Sequence, residues 1–202
     1  VSPLIQVLDE KYHNVKRDLF GLQTPSVFEI DEKMYNMDVV DKFRMFDVQF
    51  EEIYSSPVHP SGLDSEYGKG KDVIGVTYFY RNGEQNGSAV FIVVNSSDED
   101  IVYLKKYISI LHELGHVHDF ENQINFDSYA RASDAVKAEA YAEIFALKYL
   151  DRDKQDVVHK FVKSQYAEAL KNRKQRSEFY ASVHKEINIY ISESRLKRWR
   201  KF

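Results

Sequence analysis

Cysteine is absent from the 202 residues, which excludes disulfide scaffolds, Cys-ligated zinc fingers, iron–sulfur clusters and thiol nucleophiles. Long apolar runs are absent too. The most apolar stretch, Ala89-Val90-Phe91-Ile92-Val93-Val94, is far short of the ~20 residues that a membrane-spanning helix needs. There is little excess of either charge: 28 Lys+Arg against 32 Asp+Glu leave a net −4, which argues against a protein that mainly coats nucleic acid. Internal repeats and low-complexity tracts are lacking. Val1-Ser2-Pro3-Leu4 has no basic-then-apolar layout of a signal peptide. Together with the missing Cys, this leads to the expectation of a cytoplasmic protein, or of one whose leader has been removed.

What is present is the composition of a folded domain, 43% hydrophobic and 30% charged. The length suits a single domain over residues 1–202. A chain of this size buries well over half of its unfolded surface and needs no metal merely to fold.

Ser2-Pro3 reads as an N-cap and first helical residue. Leu4, Leu8, Tyr12, Val15 and Leu19 then recur at helical spacing up to Gly21. Residues 26–31 alternate as a short strand. Residues 38–54 fit either period, and we expect a helix there. Residues 55–72, with two Pro and three Gly, read as loop. Residues 73–80 and 88–95 read as a hairpin with a long turn over 81–87. Ser97 with Asp100 suggests a capping box for a helix running to about His118. Residues 119–133 should be loop, 134–150 an Ala-rich helix beginning near Asp134, and 154–171 and 175–192 two further helices. The tail 195–202 is basic and aromatic.

The segment that carries chemistry is His112-Glu113-Leu114-Gly115-His116. Residues four apart on an α-helix share a face one turn apart, so both imidazoles can hold one zinc ion. Glu113, one position round, can reach a water at the open coordination site. Zinc lowers the pKa of such a water towards neutrality, and the carboxylate takes its proton as the oxygen attacks a carbonyl. Gly115 costs about 1 kcal/mol relative to Ala inside a helix, a cost explained if something approaches the backbone closely there.

Catalytic zinc commonly takes three protein ligands. Glu139 and Glu143 lie four apart on the Ala-rich helix, whose small residues Ala138, Ala142 and Ala146 allow close packing against the first helix. Glu139 is the candidate third ligand. Glu143 is the candidate acceptor for the other N–H of a ligand His, which would fix its tautomer. His118, His159 and His184 are rivals for the third place, although His118, two residues past His116, points to another face. Tyr129, Tyr166, Tyr180, His159 and His184 are candidates to stabilise the oxyanion.

The strand 89–95, the His-Glu-Leu-Gly-His helix and Glu139-x-x-Ala142-Glu143-x-Phe145-Ala146 together resemble the ImmA/IrrE-like metallopeptidases. These are gluzincins, zincins whose third ligand is a Glu. The chain carries Glu143 where the family pattern has Asp or Asn. The resemblance covers about residues 73–150, the expected core, and leaves an N-terminal extension (1–72) and a helical C-terminal part (151–202). It implies an α+β, zincin-like domain with a small sheet beside the active-site helix. It also implies one zinc ion per chain and hydrolysis of a peptide bond in a protein or peptide substrate, such as a regulatory protein bound along an edge strand. The sequence itself keeps open a non-catalytic zinc-binding interaction module, a helical structural protein with an accidental motif, and iron as the metal of a two-His-one-carboxylate set. No membrane partner is expected. With no helix-turn-helix pattern, only the tail 195–202 offers a contact to nucleic acid.

Overall fold

A computed structural model describes residues 2–54, 75–94, 97–122 and 135–197, the stretch 190–197 by its backbone alone. It is a mixed α+β fold of four strands and seven α-helices among the described residues. The helices are α1 (Pro3–Asp18), α2 (Glu32–Tyr35), α3 (Val39–Met45), α4 (Asp100–Asn122), α5 (Ala135–Leu150), α6 (Val157–Arg176) and α7 (Glu178–Lys197). The strands are β1 (Pro25–Ile30), β2 (Glu52–Ile53), β3 (Gly75–Asn82) and β4 (Gln85–Val93).

The strands form one sheet in the order β1-β4-β3-β2. β4 runs parallel to β1 and antiparallel to β3, and β2 pairs antiparallel with the far end of β3. β4 explains the apolar run in the sequence. Val90 and Ile92 enter one core with Phe79, α1, α4, α5 and α6, while Ala89, Phe91 and Val93 enter a second core with Tyr35 of α2 and Phe43 of α3. A central strand covered on both faces reads as a near-continuous apolar run. Full burial of a side chain such as Leu111 or Leu114, both in the larger core, contributes about 1.5–3 kcal/mol.

Local chemistry sets the element ends. The Ser2 hydroxyl accepts the Ile5 N–H at 3.2 Å with Pro3 at the first helical position, as expected for α1. α1 gives way to a 3₁₀ turn, Leu19–Gly21. α6 starts where the Asp156 carboxylate accepts the His159 N–H at 2.9 Å, and Ser177, in extended conformation, separates it from α7.

Five sequence expectations change. The hairpin turn is not 81–87 but two residues, because Asn82 pairs with Gln85 and Gly83, at φ 64°, takes the first central position. The stretch 38–54 is not one helix. α3 ends at Met45, Asp47 adopts φ 56°, the Val48 N–H turns back to the Phe43 carbonyl at 2.8 Å, and the chain leaves to pair as β2. α2, capped by Asp31, was not anticipated. α4 runs four residues past His118, to Asn122. The Ser97–Asp100 capping box does not form, since Ser97 Oγ accepts from the Glu99 N–H at 3.3 Å while the Asp100 carboxylate takes the Ser2 hydroxyl at 2.9 Å. The loop expected over 55–72, the rest of that over 119–133, Asn95, Asp134 and residues 198–202 of the tail lie outside the described residues.

No described helix is long and apolar enough to cross a membrane.

Candidate metal centre

α4 and α5 pack side by side, and Gly115 sets their spacing. A Cβ placed on it would lie 2.9 Å from both Cα and the carbonyl oxygen of Ala142, and 3.1 Å from Phe145 Cβ. The close approach expected at Gly115 is therefore the crossing of these two helices. Ala138, Ala142 and Ala146 of α5 are all buried. This packing brings Glu139, 23 residues beyond His116, against both imidazoles.

The three ligand atoms converge. Nε2 of His112 and Nε2 of His116 are 3.2 Å apart. Glu139 Oε1 is 3.0 Å from the first and its Oε2 3.1 Å from the second. A group made of His112, His116 and Glu139 could therefore hold a metal ion, with ligand atoms all within 4.8 Å of one another. Ligands at 2.0–2.1 Å around a tetrahedral zinc lie about 3.3 Å from each other, so the 3.2 Å between the two imidazole nitrogens fits that ion, and each Glu139 oxygen stands beside one of them. Two imidazole nitrogens and one carboxylate are also donors that zinc accepts.

Electrostatics ties these groups together. Burial opposes charge on the His112 ring, but Glu139 and Glu143 outweigh it and hold its pKa well above the usual imidazole value. Burial opposes charge on Glu139 too, and His112 and His116 outweigh it, holding this carboxyl well below the usual range.

Glu113 lies beside the cluster, with Oε1 3.9 Å from His112 Nε2. Its Oε2 accepts the Thr77 hydroxyl at 2.5 Å, and the residue is 4% exposed. Strand β3 comes close here, since a Cβ on Gly75 would lie 2.7 Å from Glu113 Cγ. Thr77 and Gly75 were not singled out in the sequence. With Phe79 they form a period-two face of β3, but only the docking of that face on α4 assigns them to the site.

Glu143 is fully buried behind His112, with Oε1 2.9 Å from His112 Nδ1. The contact is an ion pair by distance without the alignment of a hydrogen bond. Tyr166, a candidate for the oxyanion, donates its hydroxyl to Glu143 Oε2, on the Nδ1 side of the His112 ring and away from the converging Nε2 atoms.

The other candidates lie elsewhere. His118 Nδ1 meets the Tyr141 hydroxyl at 2.7 Å, on a face that excludes it from the cluster. His159 is buried against the Tyr107 hydroxyl at 2.8 Å. His184 lines a groove between α6 and α7 with Lys174 and Lys185. Tyr180 packs against the small core that α5 shares with α7, under the Arg173 guanidinium. Tyr129 lies outside the described residues. Set against protein-family models, curated proteins and solved structures, the chain matches none.

Proposed function

We propose that the protein is a zinc-dependent metallopeptidase that hydrolyses a peptide bond in a specific regulatory protein. The observation that carries the reading is a carboxylate, Glu113, beside a buried two-imidazole, one-carboxylate cluster. Zinc in such a site would supply Lewis acidity and a water acidic near neutral pH. His112, His116 and Glu139 would hold it. Glu113 would take the proton from the attacking water and pass it to the leaving amine, with Thr77 orienting the carboxylate. A zincin-like arrangement, with β3 beside the motif helix, belongs to the same reading. It is supported by the approach of Gly75 and Thr77 to Glu113 and by the resemblance of residues 73–150 to the ImmA/IrrE-like metallopeptidases.

Metal content and substrate turnover test it together. The purified protein should hold about one zinc per chain, and Glu113→Gln should keep that zinc. A comparison of cellular proteins between parent and Glu113→Gln should reveal a substrate cleaved only by the parent, with turnover lowered by about 10²–10⁴-fold in the variant. Retention of zinc with no difference in any cellular protein would favour a non-catalytic zinc-binding interaction module. Absence of zinc from the parent would remove both readings. Bound iron with no zinc would remove the zinc assignment.

A further inference from the structure

The C-terminal part of the chain, beyond the residues 73–150 that carry the resemblance, reaches towards the candidate metal centre through Glu143. Its carboxylate has no exposed surface, and three groups meet it. His112 Nδ1 is 2.9 Å and Arg173 Nη1 3.5 Å from Oε1, while the Tyr166 hydroxyl donates to Oε2. Tyr166 and Arg173 stand about two turns apart on α6 and so share one face of it. Arg173 also lies over the Tyr180 ring of α7, 6.0 Å from its centroid.

We propose that Tyr166 and Arg173 are positioning residues for the metal site, fixing the His112 ring through Glu143. The proposal rests on the zinc reading above. A Glu side chain is long and rotates freely, so its carboxylate needs anchoring if it is to face one ring nitrogen. The Tyr166 hydroxyl anchors one oxygen and Arg173 flanks the other, leaving that oxygen to face His112 Nδ1. A carboxylate 2.9 Å from Nδ1 favours the tautomer that carries its proton there, which leaves the Nε2 lone pair directed at the cluster, as a zinc ligand requires. Groups that hold a ligand imidazole in this way typically affect metal affinity by about 10–100-fold.

The test uses the full chain and three variants. Tyr166→Phe removes one hydroxyl and keeps the ring. Arg173→Gln removes the charge from a side chain that is 33% exposed, keeps a polar end, and carries the test alone if the Tyr variant fails to fold. Arg173→Lys keeps the cation. Zinc affinity is read by competition with a chromophoric chelator, and ligand geometry from the visible spectrum of the cobalt-substituted protein. Thermal stability of the metal-free proteins controls for folding. We expect Tyr166→Phe and Arg173→Gln each to weaken zinc binding by about tenfold or more and to alter the cobalt spectrum, with Arg173→Lys recovering most of the loss. Variants that lose stability but bind zinc within twofold of the parent, with its cobalt spectrum, would make the pair structural only and overturn the proposal. A parent that binds no zinc would instead overturn the function reading, and this inference with it.

Discussion

Gly115 sits one position before the second imidazole, and its missing side chain is what lets Glu139 arrive. In an isolated helix Gly115→Ala would gain about 1 kcal/mol from propensity. Here the new methyl meets the Ala142 backbone at 2.9 Å, and backbone cannot rotate aside as a side-chain end can. Overpacking costs about 1–3 kcal/mol, and the upper half of that range applies against backbone. The expected result is a net loss of about 1–2 kcal/mol in denaturant unfolding, with weaker zinc binding as α5 is pushed from α4. Unchanged stability and unchanged zinc affinity would show that the two helices do not rely on this contact. At the same scale, the two imidazoles and the two glutamates were legible because a spacing of four puts each pair on one face of its helix. Thr77 and Arg173 were not, since each reaches the site from an element whose docking no local pattern encodes.

Among the elements, those legible in the sequence are the ones whose signals are local. α1 carries its own cap and stop, α4 carries apolar residues at helical spacing, and α5 is rich in Ala. The reading failed where a tertiary contact decided. Residues 46–50 have aromatic spacing for either period, and the outcome follows from the sheet, since β2 completes an edge next to Tyr80 and Arg81 of β3. Asp100 could have closed a capping box, but the Ser2 hydroxyl competes for its carboxylate. α6 illustrates how such contacts join elements. His159 stacks on Tyr107 of α4, lies near Tyr149 of α5, and shares Asp156 with Lys11 of α1. Burial, then Lys11, lowers the pKa of His159 below its ordinary 6.5, while Asp156 and Asp153 oppose them. The unfolded chain therefore binds the proton more readily than the folded one. Stability is full above the unfolded pKa and falls as the pH drops from about 6.5 towards the lower folded value. His159→Gln should make the fall in melting temperature between about pH 7 and pH 5.5 shallower than in the parent, and identical slopes would exclude His159 as a contributor.

The largest core among the described residues takes in α1, the sheet, α4, α5 and α6, and the three candidate metal ligands stand on two helices of that core. His112 and His116 share a helix, but Glu139 comes from the next one, so unfolding that separates α4 from α5 destroys the ligand set. Metal binding is then linked to global stability and not only to the site. Zinc free at about a thousand times its Kd should stabilise the fold by about 4 kcal/mol. For a chain of this size that corresponds to a rise in melting temperature of roughly 8–16 °C. A chelator should reverse the rise, and His116→Ala should abolish it, because two remaining ligands on different helices no longer close round the ion. Calorimetry of the parent and of His116→Ala, each with zinc and with chelator, measures all four states. A parent whose melting temperature ignores zinc up to millimolar concentration would mean that the imidazoles and Glu139 are an internal ion-pair cluster, held together by the charges that now link them.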